Sequence, residues 1–338
     1  MIEPQLWHPV IASHQVRDQP VACSLLGQAL VLWREQAHDT HRVHAWADRC
    51  PHRGARLSLG RVLIGLHGTR LECPYHGWQF GGEGRCQHVP AAPDFVPPAS
   101  HCTTPFEARE QHGLVWVRLQ PPSQTLAAPL ADPPAFAPGD DPAWRTVLCG
   151  SYELGTSAPR LVENFLDLSH FGFVHEGWLG ERGHAQVQTG AVDEGEAGLV
   201  VRDARAWQPR AYAGADAGAW IAYRYDVPHP FAAILRKDAT EGDPVSNAIA
   251  LFIRPDGHEL CTAWFVMATR GDASTDQELV AFQDAVFAQD RPVVESQSPR
   301  ALPVGRTTPV TEVHGPADRV SSAYRRYLKR LDIALGTC

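Results

Sequence analysis

The sequence predicts an α+β protein, with an antiparallel β-domain first and a domain of antiparallel strands and helices after it. The first third holds short alternating apolar segments between turn residues, such as GLVWVRL at Gly113–Leu119, and these are typical of antiparallel strands. Seven prolines crowd the stretch from Gln120 to Trp144. Beyond that stretch, two helix-like segments accompany a second group of strand candidates. The sequence therefore indicates two β-rich domains, of which only the second has long helices.

The proline-rich stretch predicts the domain boundary. Proline has no backbone N–H to donate, and it disfavours a helical conformation in the residue before it. A stretch so rich in proline is typical of a connector. We therefore assign residues 1–120 to the first domain, 121–144 to a connector and 145–338 to the second domain.

The individual elements follow from the apolar patterns. In the first domain the predicted strands include Ala29–Arg34, His41–Ala47 and Gly113–Leu119. In the second domain one helix is predicted over Pro159–His175, and another begins near Thr275 and continues past Phe287. The strands predicted there are Leu199–Trp207, Trp220–Val227, and Ala248–Arg254 joined to Leu260–Thr269 by a turn at Asp256-Gly257.

Charge and composition limit the classes of partner. The formal net charge is −8, from 30 basic and 38 acidic residues, and there is no basic run. This balance argues against nucleic acid or an anionic membrane as the main partner. The first residues lack the basic and apolar regions of a secretory signal, and no apolar run approaches the ~20 residues of a membrane span. We expect a soluble cytoplasmic protein.

Two short cysteine–histidine pairs carry the strongest chemical signal. Cys50-Pro51-His52 and Cys73-Pro74-Tyr75-His76 each place one thiol and one imidazole within a tight loop, with 20 residues between the pairs. A Rieske [2Fe–2S] cluster needs two thiolates on one iron and two imidazoles on the other. The two pairs therefore predict this cluster as a bound cofactor. The other six cysteines are scattered along the chain, and we interpret them as buried or incidental thiols.

Zinc is the alternative metal for these four residues, because two cysteines and two histidines also suit a tetrahedral zinc site. Zinc fingers normally pair cysteine with cysteine and histidine with histidine, whereas each pair in this chain is mixed. The mixed spacing favours the iron–sulfur cluster.

A second metal site is predicted in NFLDLSHFGFVH at residues 164–175. On a continuous helix Asp167 and His170 would share a face. His170 and His175 are five residues apart, so the helix must end or distort between them if both are to bind one ion. Two histidines with one carboxylate and open positions form the facial triad of non-haem Fe(II) oxygenases.

Asp290 is the candidate carboxylate. It lies on an apolar stripe that we place at Leu279, Phe282, Val286 and Val293–Val294, where a buried acid must be paired, protonated or bound to metal. Pro292 is expected to disrupt the helix just beyond Asp290 and so to aim its side chain. The alternative is that Asp290 caps a following helix with Pro292 in its first turn. The periodicity does not decide between these interpretations.

The chain resembles the Rieske non-haem iron oxygenases. CPHRGARLSLG and CPYHGWQFGGEGRC match the two cluster loops of that family, with a longer insert that extends a hairpin around Gly65–Gly68. ENFLDLSHFGFVH and QDRPVVESQSP resemble the catalytic half of family members that include O-demethylases of aromatic acids and N-demethylases of purine alkaloids. HVPAAPDFVPPAS, SHFGFVHEGWLG and DRVSSAYRRYLKRLDIALGTC are similar to Rieske hydroxylases that tailor saxitoxin-type guanidinium alkaloids.

The resemblance implies a ligand set, a fold and an assembly. Cys50, His52, Cys73 and His76 would hold the cluster. The mononuclear iron ligands would be His170, His175 and Asp290. The catalytic domain would have a helix-grip fold, and the chains would form a head-to-tail homotrimer. Asp167 would bridge a cluster histidine of one subunit to an iron histidine of the next; the alternative is that Asp167 only orients His170. Asn164 stands early in the predicted helix, where it either lies at the site or caps the helix.

The predicted function is that of an oxygenase component that activates O₂ at Fe(II) and hydroxylates or demethylates a small, alkaloid or aromatic, substrate. GGEGRC lies in the cluster loop and opens no strand–helix unit, so it is not a dinucleotide fingerprint. Electrons should therefore arrive from NAD(P)H through a separate reductase or ferredoxin. The competing hypotheses are a Rieske electron-transfer protein without oxygenase activity and a zinc-stabilised binding module.

Overall fold

A computed structural model describes residues 1–37, 40–65, 68–124, 126–196, 198–209, 218–237, 245–305 and 310–338. The backbone divides into two compact units. One comprises Pro4–Gln124, and the other comprises Met1–Glu3 together with Thr125–Cys338. The division at Gln124 falls inside the predicted connector, while the exact domain bounds stay a prediction.

The N-terminal unit contains a six-stranded antiparallel sheet with the strand order β1-β10-β9-β4-β3-β2. The predicted strands in this region coincide with β3, β4 and β10 and are confirmed. The six strands are β1 (His8–Ala12), β2 (Val21–Leu25), β3 (Gln28–Ala37), β4 (Thr40–Ala47), β9 (Pro105–Gln111) and β10 (Leu114–Arg118).

A four-stranded antiparallel sheet carries the second cysteine–histidine loop. Its strands, in spatial order, are β5 (Arg61–Gly65), β6 (Gly68–Glu72), β7 (Gln79–Phe80) and β8 (Cys86–His88). The β5–β6 pair is the predicted long hairpin, since Gly65 lies opposite Gly68, while the tip residues 66 and 67 lie outside the described residues. Trp33, Trp46 and Phe80 form the core of this region together with Cys50 and Cys73.

Two segments differ from the predicted division of the chain. The predicted connector is not an open linker, because it buries Leu130 and Phe136 and contains helix α1 (Ala137–Asp140). The first three residues belong to the C-terminal unit, where Glu3 Oε1 accepts hydrogen bonds from the backbone N–H groups of Ala334 and Leu335, each at 2.8 Å. These two donors hold one oxygen of a fully buried carboxylate, which would otherwise lose its hydration without replacement.

The C-terminal unit is built on an eight-stranded antiparallel sheet with the order β11-β18-β17-β16-β15-β14-β12, and β13 pairs with β14. The four strand predictions are confirmed, and Pro255 pairs with Cys261 at the end of the predicted β17–β18 hairpin. The strands are β11 (Arg145–Leu154), β12 (Val187–Gln188), β13 (Ala191–Gly195), β14 (Gly198–Gln208), β15 (Ala219–His229), β16 (Ala232–Lys237), β17 (Ser246–Pro255) and β18 (Cys261–Arg270).

Helices pack on this sheet and position the second site. Helix α2 contacts β16 and β17, α4 contacts β11, and α5 contacts β13 and β14. Ser157 caps α2 by accepting a hydrogen bond from the Arg160 N–H, and Thr275 with Glu278 forms a capping box at α4. The helices are α2 (Ala158–Leu166), α3 (Phe171–Val174), α4 (Asp276–Ser296) and α5 (Arg319–Arg330).

The helix predicted over Pro159–His175, with a break between His170 and His175, is wrong in its bounds and in the place of the break. Helix α2 ends at Leu166 with Asp167 as its C-cap, and α3 is a four-residue helix with His170 and His175 as its caps. The chain therefore breaks between Asp167 and His170 rather than between the two histidines. Asp167 accepts a hydrogen bond from the Ser169 N–H at 2.8 Å, and this local bond replaces the next helical turn.

The predicted apolar stripe of α4 is confirmed at Leu279, Val286 and Val294 but is wrong at Phe282 and Val293. Phe282 and Val293 are 42% and 47% exposed, and the buried face includes Gln283 and Phe287 instead. Pro292 does not end the helix, which continues to Ser296. Proline removes only its own N–H bond to the preceding turn, and the buried residues on both sides of it keep the helix packed. Asp290 consequently lies within one helix and caps no second one.

The predicted α+β class, with antiparallel sheets in both parts, is confirmed. Among the described residues, none of the helices combines the length and apolar character that crossing a membrane requires.

Candidate metal centres

The two cysteine–histidine loops have the same backbone construction. In the first loop the Cys50 N–H donates to the Ala55 carbonyl at 2.8 Å, and the Gly54 N–H donates to the Cys50 carbonyl at 2.9 Å. In the second loop the Cys73 N–H donates to the Trp78 carbonyl at 2.8 Å, and the Gly77 N–H returns to Cys73 at 3.1 Å.

Glycine is required at one position of each loop, because Gly54 has a φ of 72° and Gly77 a φ of 68°. These are left-handed conformations that other residues rarely adopt. Each loop therefore closes on itself with local hydrogen bonds and presents its cysteine and histidine from a tight turn.

The four side chains separate by depth. Cys50 and Cys73 are 1% and 2% exposed, whereas His52 and His76 are exposed and their ring centroids lie 4.6 Å apart. Burial raises the pKa of the Cys50 thiol to about 11, the backbone N–H groups of His52 and Arg53 lower it, and the Cys73 thiol raises it further. A Cys50 thiol that burial keeps protonated needs a strong positive centre nearby to become a thiolate. The donor set therefore fits a cluster with its thiolate side inside and its imidazole side at the surface.

His52 is stacked against a second aromatic layer. Its ring lies 4.5 Å from Trp78 with an interplanar angle of 3°, and Trp78 stacks on His101 at 5.3 Å and 5°. Stacking of the three parallel rings fixes the orientation of the His52 imidazole by contact with one of its faces.

The second centre brings together His170, His175 and Asp290. Their ligand atoms all lie within 4.8 Å of one another. The two Nε2 atoms are 3.2 Å apart, and Asp290 Oδ1 lies 3.4 Å from His170 Nε2 and 3.2 Å from His175 Nε2. Ligand atoms held about 2.1 Å from a divalent metal at right angles are about 3 Å apart, so the spacing fits one ion bound by all three.

Each imidazole of this centre also has a partner on the opposite ring nitrogen. His170 Nδ1 lies 3.2 Å from Asp167 Oδ2, and His175 Nδ1 lies 2.7 Å from Gln289 Oε1. These contacts leave both Nε2 atoms directed at the shared point. Outer partners of this kind fix the tautomer and the orientation of a metal-binding histidine.

The charges at the second centre are strongly coupled. Burial alone would raise the pKa of Asp167, but the hydrogen bond from His170 and its charge lower the pKa below the ordinary aspartate value. Burial alone would lower the pKa of His175, but the hydrogen bonds to Asp290 and Gln289 raise it. The surroundings of the second centre therefore favour an ionised Asp167. They also favour a positive charge at the point where the ligand atoms of His170, His175 and Asp290 converge.

The second centre opens into a cavity of about 550 Å³, a volume that includes solvent space at its open mouth. Its polar lining groups are Asn164, His170, His175, Gln283 and Asp290, besides the buried Tyr225. The remaining lining is apolar: Leu161, Phe165, Phe171, Leu179, Leu235, Ile249, Leu251, Phe265, Val286 and Phe287. Among the described residues that line it there is no lysine or arginine.

Sequence reasoning placed the seven candidate ligands in two groups, and the structure brings the members of each group together. Asn164 lines the cavity, and its Nδ2 lies 3.4 Å from Asp290 Oδ1. Sequence reasoning missed Gln289 and Gln283. The available signal was their position on the same helix as the buried acid Asp290, one and seven residues before it. The predicted stripe instead placed Phe282 on the buried face in place of Gln283.

Two family models match the chain. Residues 6–103 match the Rieske [2Fe-2S] domain, and residues 154–333 match the vanillate O-demethylase oxygenase C-terminal domain. The second match covers the part of the chain that carries His170, His175 and Asp290. A C-terminal oxygenase domain does not fit an electron carrier or a zinc-stabilised binding module, so both competing hypotheses are wrong.

Two demethylases are similar to this protein over nearly the whole length of the chain. The methylxanthine N1-demethylase NdmA of Pseudomonas putida is 32% identical over 333 residues, which cover 96% of this chain and 88% of the relative. The methylxanthine N3-demethylase NdmB of the same organism is 30% identical over 336 residues, covering 97% and 89%. The structure of Pseudomonas putida CBB5 NdmA with caffeine superposes with a TM-score of 0.81 at 31% identity, covering 97% of this chain and 90% of that one.

Proposed function

We infer that this chain, which belongs to the Rieske non-haem iron oxygenases, removes a methyl group from a small, neutral, flat N-methylated heterocycle. It is the oxygenase component of a Rieske monooxygenase, and it uses O₂ and electrons from a separate NAD(P)H-dependent reductase. Its cofactors are a [2Fe–2S] cluster and Fe(II).

We infer the substrate class from the lining of the cavity beside His170, His175 and Asp290. Aromatic and aliphatic side chains make up most of the wall, and the described lining contains no lysine or arginine. A substrate carboxylate buried there would lose its hydration without a lysine or arginine partner and would lie near Asp290. The cavity therefore favours neutral molecules over aromatic acids.

The polar groups of the wall are suited to a heterocycle with amide-type edges. Asn164 and Gln283 each offer a carbonyl oxygen and an amide N–H on the cavity surface. Phe165, Phe265 and Phe287 provide flat apolar surfaces around them. Such a wall can bury a flat ring and hydrogen-bond its carbonyl or ring-nitrogen groups. Two relatives that match nearly the whole chain are methylxanthine demethylases.

We propose that His170, His175 and Asp290 hold the mononuclear iron, and that Cys50, His52, Cys73 and His76 hold the cluster. Bound Fe(II) supplies O₂ binding and activation, and the cluster supplies electrons. The apolar wall excludes water and orients the N-methyl group, while Asp167 holds His170 by its Nδ1 atom. The balanced reaction is R–NCH₃ + O₂ + NAD(P)H + H⁺ → R–NH + HCHO + H₂O + NAD(P)⁺, in which one C–N bond breaks.

We further propose a homotrimer in which Asp167 accepts a hydrogen bond from a cluster histidine of the neighbouring subunit. Two features support this arrangement: the Asp167 side chain is 30% exposed although it already contacts His170, and both His52 and His76 are exposed. A further N–H donor can therefore reach the carboxylate from outside. Sedimentation of the cluster-loaded protein tests the trimer, and a monomer at micromolar concentration would contradict it. The cytoplasmic location stays a prediction.

A paired-substrate assay tests the proposed reaction. The full chain, loaded with cluster and Fe(II), is given NADH, a Rieske reductase, and either caffeine or vanillate. We expect formaldehyde in equal amount to the substrate consumed with the neutral N-methyl compound, and none with the carboxylate. Formaldehyde from vanillate alone would overturn the substrate class. A hydroxylated product without formaldehyde would overturn demethylation.

A further inference from the structure

We propose that Gln289 is the positioning residue of His175, holding the imidazole so that only its Nε2 atom can bind the mononuclear metal. Gln289 Oε1 lies 2.7 Å from His175 Nδ1, which is the shortest of the contacts made by the three proposed ligands. The inference rests on the proposed function, because it concerns the metal held by His170, His175 and Asp290.

A single helix contacts both nitrogen atoms of the His175 ring. Gln289 and Asp290 are consecutive residues of α4, and Asp290 Oδ1 lies 3.2 Å from His175 Nε2. His175 is 1% exposed, so bulk water cannot replace either partner. The ring is therefore held in one orientation by two adjacent side chains.

The Gln289 contact also selects the tautomer. A neutral imidazole carries one N–H, and a carboxamide can face it with either its oxygen or its NH₂ group. If the oxygen faces Nδ1, the proton is on Nδ1 and the lone pair of Nε2 is free for a metal. If the NH₂ group faced Nδ1, the proton would be on Nε2 and would block metal binding. Only the carbonyl orientation is compatible with the proposed site.

The two histidines differ in the charge of their outer partners. His170 faces the Asp167 carboxylate, whereas His175 faces a neutral carboxamide at shorter distance. Asp290 already brings one carboxylate to the ligand set, and Asp167 brings another close to it. Gln289 fixes the second imidazole without adding a third negative charge to a largely buried site, where like charges repel strongly.

The test measures metal binding and does not depend on turnover. Full-length, cluster-loaded protein without mononuclear iron is titrated with Co(II) against a chelator, and Asp290→Ala identifies the visible signal of this site. We expect Gln289→Leu to weaken Co(II) binding by about 10–100-fold. Gln289→Glu keeps an acceptor opposite Nδ1 and should bind Co(II) at least as tightly as the natural protein. Gln277→Leu, the same change at an exposed position of α4, is the matched control.

The outcomes separate this inference from the proposed function. Equal Co(II) affinity of Gln289→Leu and Gln277→Leu would overturn it. Equal weakening by Gln289→Leu and Gln289→Glu would overturn it as well, because shape rather than an acceptor would then matter. A natural protein that binds no Co(II) at this site would sink the proposed function itself. The cluster absorbance of every variant reports whether the N-terminal unit has folded.

Discussion

Asp167 contacts His170 twice within the loop that joins α2 to α3. Its Oδ2 atom accepts a hydrogen bond from the His170 backbone N–H and lies 3.2 Å from both that nitrogen and His170 Nδ1. The carboxylate is itself held by the Ser169 N–H at 2.8 Å. The loop that ends α2 therefore fixes the direction of a proposed iron ligand before any metal binds.

Asp167→Asn should preserve the fold and weaken the contact between the Asp167 side chain and His170. The amide NH₂ group cannot accept the His170 N–H, so the imidazole loses one of its anchors. We expect product formation to fall about 10–100-fold while the cluster and the mononuclear iron are retained. Stopped-flow re-oxidation of the pre-reduced cluster by O₂, with substrate present, measures the effect. Asp276→Asn, at an exposed position of α4, is the control, and equal rates for the two variants would contradict the role of Asp167.

Asp290→Ala should remove the mononuclear iron and leave the cluster intact. The substitution takes away the only proposed carboxylate ligand, and His170 with His175 then gives an incomplete site. We expect iron analysis to fall from about three to about two irons per chain, with an unchanged visible spectrum. Activity that survived this substitution would show that the ligand assignment is wrong.

His44 should make cluster retention depend on pH. It is 7% exposed, it stacks on Trp33 at 4.6 Å, and its Nε2 lies 2.8 Å from Glu35 Oε2. Burial lowers its pKa below 6.5, with the Glu35 hydrogen bond opposing the effect. The unfolded chain therefore binds the proton more readily than the folded one. The contribution of neutral His44 to the free energy of unfolding is fully present above pH 6.5. It is lost as the pH falls through the pKa of His44 in the folded protein.

The measurement for His44 is the urea midpoint at which the visible cluster spectrum is lost, at pH 7.5 and 5.5. His44→Gln keeps a hydrogen-bond donor for Glu35 but does not titrate in this range. We expect its midpoint to change less with pH than that of the natural protein. Parallel pH dependences of the two proteins would rule out His44 as the source.

Arg160→Met should destabilise the C-terminal unit. Arg160 is 2% exposed and bonds both carboxylate oxygens of Glu312 at 3.1 and 2.6 Å, and Arg325 bonds Glu312 at 2.6 Å and Glu163 at 2.6 and 2.8 Å. Removing Arg160 leaves the half-buried carboxylates of Glu163 and Glu312 with Arg325 as their shared cation. Breaking such a network costs about 3–5 kcal/mol.

Calorimetry of the Arg160→Met protein measures this loss as a lower transition temperature. The double variant Arg160→Met with Glu312→Gln should recover part of it, because the unpaired charge is then removed. No recovery would mean that the packing of Arg160, rather than its charge, stabilises α2.

The two cysteine–histidine loops could be predicted because their geometry is local. Each closes through hydrogen bonds within six residues and needs a glycine at one defined position, Gly54 or Gly77. The antiparallel strands were likewise visible as alternating segments. The helix break was misplaced because nothing in the apolar pattern shows that Asp167 bonds the Ser169 N–H and ends α2.

The residues that the sequence by itself determined are those whose neighbours lie close along the chain: the two cysteine–histidine loops, the strands and the capped start of α4 at Thr275. Only the tertiary structure decided that Asp290 meets His170 and His175 from more than a hundred residues away, that Gln289 holds His175, and that Gln283 rather than Phe282 faces the cavity. Helix phase against a sheet depends on packing with residues distant in sequence. Periodicity constrains which stripe is apolar, but the packing partner fixes which side chains it buries.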